Sequence, residues 1–113
     1  MLFKINRLKK NKDFIKVFKR GRFFNEIFLS LKEVKNGLNQ TRVGFVVSKK
    51  ISKKAVIRNK VKRQLREAAR NNLNKIDTDR DIIFFAKKGI EEKGFLEIKK
   101  ALENLLRKMN YKA

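Results

Sequence analysis

KKISKKAVIRNKVKRQLREAAR, Lys49 to Arg70, sets ten Lys or Arg side chains against one acid, Glu67. Between the charges, Ile57, Val61, Leu65 and Ala68 recur at three- and four-residue steps, the spacing that lines one face of an α-helix. A disordered basic tail carries no such stripe. The run therefore predicts a helix from Lys54 or Ala55 to Leu73, with one side built for a core. At about 3.6 residues per turn, Asn59, Lys62, Arg63, Arg66 and Arg70 gather opposite the stripe, with Arg58 and Lys60 on its flanks. A helix that only faces solvent interleaves acids for i,i+4 support. This one does not, so its polar face is suited to a polyanion.

Downstream, the polar stretch Asn74 to Arg80 leads into DIIFFA, Asp81 to Ala86, whose four consecutive apolar residues predict a strand covered on both faces. From Gly94 to Met109, Phe95, Ile98, Leu102, Leu105, Leu106 and Met109 share one helical stripe. Upstream, Asn11 is placed to cap a helix over Lys12 to Arg20, with Asp13 in its first turn and Gly21 past its end. From Phe24 to Lys35 the pattern alternates, with Ile27, Leu29 and Leu31 on one side and Phe28, Ser30 and Lys32 on the other. Asn36-Gly37 signals a turn, and RVGFVVS, Arg42 to Ser48, reads as a returning strand, with Lys35 to Gln40 as a long hairpin loop. Whether two or three strands precede the basic helix depends on where Phe23 to Leu31 breaks. The order implies a single domain over residues 1–113, an α/β (α+β) two-layer sandwich with helices packed on a small mixed sheet.

Composition narrows the function. The chain has 113 residues and a formal charge of +21, which costs self-repulsion in the folded state and calls for a polyanionic partner, nucleic acid first. Histidine and cysteine are absent, which excludes imidazole acid–base chemistry, thiol nucleophiles, disulfides and the usual zinc sites. No stretch reaches the roughly 20 apolar residues of a membrane span, and no apolar signal core follows the basic start. A cytoplasmic protein with no membrane partner is the expectation.

Two further groups bear on binding. Lys49, Lys50, Lys53 and Lys54 sit in the short connection before the basic helix, where ammonium groups and helix-start amides both meet phosphate. Phe14 and Phe18, four apart on the first helix, admit two readings. Such pairs are commonly core, yet Lys16, Lys19, Arg20 and Arg22 surround this one with the charge that accompanies base stacking. The acids form no active site: Asp77, Asp79 and Asp81 lack the glycine and terminal glutamate of a calcium loop, and GIEEKG, Gly89 to Gly94, is too poor in glycine for a phosphate loop.

AVIRNKVKRQLRE, Ala55 to Glu67, resembles the signature helix AVxRNRxKRxxRE of the protein subunit of bacterial ribonuclease P, with Lys60 in place of an arginine. The resemblance extends to NRLKKNKDFIKVFKRG (Asn6 to Gly21), RVGFVVSKKIS (Arg42 to Ser52) and DIIFFAKKG. It implies an α-β-β-β-α-β-α fold with a left-handed crossover around the basic helix, against the general rule of handedness. It implies a 1:1 complex with a catalytic RNA that removes the 5′ leader from precursor tRNA, using Mg2+ held mainly by the RNA, with no obligate protein partner. Carried over by position, Lys53, Lys54, Arg58, Asn59, Lys60, Lys62, Arg63, Arg66 and Arg70 would contact the catalytic RNA. Phe14 and Phe18, with Lys49 and Lys50 nearby, would line the leader cleft between first helix and sheet. KKISKKAVIRN has one residue more than the family's KKxGxAVxRN, and an aromatic of the family's cleft floor falls at Phe28 or Ser30. Competing readings are a ribosomal or other structural RNA-binding protein and a DNA-binding module using the Arg58 helix.

Overall fold

A computed structural model describes residues 7–112 except 73, 75, 77 and 78. Asn6, Leu73 and Asp77, which the sequence reading used, lie outside them. The helices are α1 (Asn11–Arg20), α2 (Ala55–Arg70) and α3 (Phe95–Lys112), and the strands are β1 (Arg22–Asn25), β2 (Leu29–Lys35), β3 (Arg42–Val46) and β4 (Arg80–Ala86).

The apolar run of β4 decides the sheet. Strands lie in the order β1-β2-β4-β3, with β4 antiparallel to β2 and parallel to β3. The expected hairpin between β2 and β3 does not form, because β4 inserts between them. Ile82, Ile83 and Phe84 are all fully buried, and only a central strand covered on both faces achieves that. Each such side chain removed from water contributes about 1.5–3 kcal/mol. The Asn36-Gly37 turn forms but serves this crossing. The Asn36 side-chain amide donates to Asp81 Oδ1 (2.8 Å) and to the Gln40 carbonyl (3.0 Å), and Gly37 takes a left-handed φ of 70°.

The stretch read as one strand from Phe24 to Lys35 breaks at Glu26 to Phe28, so three strands precede α2. Ile27 therefore leaves the Leu29–Leu31 side and stands 87% exposed at the bend, which the Glu26 N–H closes onto the Leu29 carbonyl (2.8 Å). Asn11 is the first residue of α1 rather than its cap. Lys10 caps, its carbonyl accepting from the Asp13 and Phe14 N–H groups, while the Asp13 carboxylate reaches Arg42 (3.3 Å). Gly21 makes the corner into β1, where an added Cβ would lie 2.5 Å from the Val17 carbonyl oxygen.

Successive strand residues point to opposite faces, and each face has its own core. One carries Leu29, Leu31, Val43, Ile82 and Phe84 against α2 (Val61, Leu65, Ala68, Ala69) and α3 (Ile98, Leu102, Leu105, Leu106, Met109). This is the expected sheet-plus-helix sandwich, and both amphipathic stripes bury the sides the periodicity indicated. The second face holds a smaller core of Leu8, Val17 and Ile83, edged by Phe14, Val34, Val46 and Phe85. Among the described residues α1 is the one helix that covers it, joined by Leu8 of the segment before it. At the α1 end of that face, buried Asp81 takes a two-bond grip from Arg42 (2.8 and 2.7 Å). On the other face Glu33, 2% exposed, pairs with Arg22 (2.7 Å) and Arg80 (2.8 Å).

Candidate nucleic-acid interface

Because α1 is one helix on a four-stranded sheet, it leaves a cleft. β-register fixes the floor: Asn25 lies opposite Ser30, Ser30 opposite Phe85, and Phe85 beside Val46, with Ser30 itself buried and Phe85 and Val46 partly exposed. Phe18 forms the wall, 44% exposed, its ring 5.4 Å from that of Phe85 and tilted by 52°. The Lys32 ammonium donates to the Phe18 carbonyl (3.0 Å) and sits 5.9 Å from the ring centroid, a cation–π distance. Phe14, half-buried, lies over Gly44 so closely that a Cβ there would be 2.7 Å from its Cζ. Of the two readings of this pair, Phe14 is partly a packing residue and Phe18 presents its ring to solvent.

At the β3 edge the cleft meets α2. A recess of about 210 Å³ is lined by Arg7, Lys9, Phe14, Gly44, Lys62 and Arg66 among others. The N-terminal segment closes it by pairing onto β3, with the Leu8 N–H donating to the Val43 carbonyl (2.9 Å). The polar side of α2 thus divides. Lys62 and Arg66, four apart and half-buried, turn toward the recess, while Asn59, Lys60, Arg63 and Arg70 face solvent. Arg58 folds back to donate to the Ser52 carbonyl (2.8 Å). Arg70 bonds Glu67 (2.7 Å), which holds the Glu67 carboxyl below its usual range and raises the guanidinium.

Lys49, Lys50, Lys53 and Lys54 are all exposed on a tight loop anchored by buried Ile51. Ser48 Oγ and Ser52 Oγ accept from the Lys50 and Lys54 N–H groups (3.3 and 3.1 Å). Lys54 takes the capping position and α2 begins at Ala55. The loop leaves β3 at the end of the sheet where Val46 and Phe85 pair.

A family model for ribonuclease P matches residues 2–110. The chain belongs to the ribonuclease P protein family. It is 43% identical over 104 residues to the ribonuclease P protein component of Alkaliphilus metalliredigens, covering 92% of this chain and 93% of that one. It is 45% identical over 106 residues to that of Alkaliphilus oremlandii, covering 94% and 92%. Among solved structures, a Staphylococcus aureus RNase P protein mutant superposes with a TM-score of 0.88 at 32% identity, covering 95% of this chain and 90% of that one. The RNase P protein of Thermotoga maritima gives 0.82 at 34%, covering 90% and 96%. As a ribonuclease P protein component, the protein is a subunit of a tRNA-processing ribonucleoprotein endoribonuclease and partners the ribonuclease P RNA.

Several cleft residues of this ribonuclease P protein escaped the sequence reading. Phe85 was hidden in a run read as core throughout, although alternation along DIIFFA already separates Ile82 and Phe84 from Ile83 and Phe85. Lys32 stood on the polar side of the β2 alternation, which is the cleft side. Of the two positions for the floor aromatic, Phe28 packs against the main core beneath the Lys93 ammonium (5.6 Å to the ring). Ser30 occupies the floor, and Phe85 on the next strand supplies the ring. Among the described residues no three acidic side chains cluster as a metal site, and no helix is long and apolar enough to cross a membrane.

Proposed function

We propose that this subunit assists endonucleolytic removal of the 5′ leader from precursor tRNA by holding two RNAs at once in a 1:1 cytoplasmic complex. Lys53, Lys54, Arg58, Asn59, Lys60, Lys62, Arg63, Arg66 and Arg70 bind the catalytic RNA. Phe14, Phe18, Lys49 and Lys50 bind the leader, together with Phe85 and Lys32. One observation carries the reading: the recess at the β3 edge is lined by Phe14 of the cleft and by Lys62 and Arg66 of α2. A strand lying in the cleft thus passes directly beside the cationic helix.

The division of labour follows from the residue types. Rings stack on any base and so hold a single strand without reading its sequence. Lysine and arginine neutralise backbone phosphate, which offsets the repulsion between two RNAs brought together. Lys60 supplies charge without the planar fork of arginine, so a point contact to phosphate suffices there. Among the described residues the two acids buried as whole side chains are engaged by arginines, Glu33 by Arg22 and Arg80, and Asp81 by Arg42. Magnesium and the bond-breaking step are accordingly assigned mainly to the RNA, and the protein's charge lowers the magnesium that the assembly needs.

The test is reconstitution with a bacterial ribonuclease P RNA and precursor tRNA at limiting magnesium. The expected result is faster cleavage with the protein than with RNA alone, the gain shrinking as magnesium rises. No gain at any magnesium concentration would overturn the proposal.

A further inference from the structure

We propose that Phe23 and Lys32 form a distal stacking subsite for single-stranded RNA at the β1 edge, so that the leader track continues beyond Phe18. The inference rests on the leader reading of the cleft and extends it past Lys32, which that reading already includes, to Phe23 on the edge strand, which it does not.

β1 is four residues long and carries two phenylalanines that part company. Phe24 packs against the main core with the Arg22 guanidinium 5.4 Å over its ring. Phe23 points the other way and is 57% exposed. Its register partner is Lys32, whose own partner on β4 is Ile83, the centre of the core under α1. Phe23 and Lys32 therefore stand on the cleft face, in the row that α1 covers over β4 and β3 and leaves open where the helix ends and turns down through Gly21.

Isolated exposed apolar residues are ordinary. Alignment sets this one apart. Lys32 lies between two rings: its ammonium bonds the Phe18 carbonyl and faces the Phe18 ring, while its strand neighbour is Phe23. The ammonium carries three donors and this bond uses one. Phe85, Phe18, Lys32 and Phe23 thus form a ladder of rings and charge, the mixture that tracks single strands. Arg20 and Lys19, both exposed at the end of α1, add cations beside it. The nearest buried acid, Glu33, is held on the opposite face by Arg22 and Arg80.

Position assigns an order. The cationic helix meets the cleft at β3, and Phe23 stands on β1 at the other edge, about 14 Å away at the usual strand spacing. Leader nucleotides near the tRNA lie at the β3 side, and those farther upstream reach Phe23. Since every base has a face to stack, the subsite selects for leader length rather than leader sequence.

The experiment measures the affinity of the reconstituted holoenzyme for precursor tRNAs whose leaders are lengthened one nucleotide at a time. Wild type, Phe23→Ala, Phe23→Tyr and Phe18→Ala are compared, each with its far-UV circular dichroism. Wild-type affinity should rise again after the Phe18 contact is satisfied. Phe23→Ala should abolish that second rise, a loss of about 5- to 150-fold for long leaders only, and Phe23→Tyr should restore it. Loss at every length, or at none, overturns the subsite. The underlying cleft reading has its own readout, since Phe18→Ala should weaken binding of short leaders as well. If Phe18→Ala changes nothing, the cleft reading fails with it.

Discussion

Gly44→Ala probes the contact on which the α1 wall of the cleft is built. An added Cβ would lie 2.7 Å from Phe14 Cζ, 3.0 Å from Phe14 Cε1 and 3.4 Å from Leu8 Cβ. Carbon–carbon contact needs about 3.5 Å, so the ring must retreat by about 0.8 Å. Gly44 sits mid-strand on β3 and the Phe14 ring is held by α1, so yielding requires an off-rotamer ring or a shift of the helix. Overpacking of this kind costs about 1–3 kcal/mol. Phe14→Leu alone should cost less than a full core truncation, because Phe14 is only half-buried. Together the two changes should relieve each other, with a coupling of about 1–2 kcal/mol within the range for residues in contact. Urea unfolding of the four proteins in sulfate buffer measures it. Gly44→Ala should also weaken leader-bearing tRNA more than mature tRNA, since it displaces Phe14 toward the cleft. A Gly44→Ala protein as stable as wild type, or strict additivity with Phe14→Leu, would refute the contact.

Other outcomes follow from the charges. Glu67→Gln removes the acid that engages Arg70, so affinity for ribonuclease P RNA should rise and the salt slope steepen by about one phosphate contact; titration of the RNA at several salt concentrations reads both. With six or more phosphates neutralised, wild-type affinity should fall about a thousandfold or more between 50 and 200 mM salt, and a shallow slope counts against the α2 face. Arg42→Ala removes the countercharge of the buried Asp81 carboxylate, leaving it the Asn36 amide, and should cost about 3 kcal/mol in urea unfolding, whereas Arg42→Ala with Asp81→Asn should recover part of that loss. Below the usual carboxylate range, protonation of Glu67 through its lowered folded value should release Arg70; this small contribution is present above the unfolded value and disappears as pH falls, measurable by NMR titration of the Glu67 carboxyl.

Helix periods were legible because burial enforces them. The stripes Val61–Leu65–Ala68 and Ile98–Leu102–Leu105 face the core as their spacing required, and the four apolar residues of β4 announced a strand covered twice. Strand order was not legible. The Asn36-Gly37 turn suggested a hairpin, and nothing local in β2 or β3 says that a strand some forty residues later will separate them. The break at Glu26 to Phe28 was hidden because Ile27 continues the alternation while its side chain ends in water. Of the site, the cationic residues were readable as types and the meeting of Lys62 and Arg66 with Phe14 was not, since it depends on β3 being the edge strand. Phe85 and Lys32 became cleft residues only once a single helix was seen to cover half a sheet face.

The claim that the cleft between α1 and the sheet holds the leader is tested most directly by one ratio, the affinity of the holoenzyme for precursor tRNA over that for mature tRNA. Adding the protein to ribonuclease P RNA should raise the ratio, and Phe18→Ala should lower it about 5- to 150-fold by weakening precursor binding alone. A protein that strengthens both ligands equally, or a Phe18→Ala variant that weakens both equally, would contradict it.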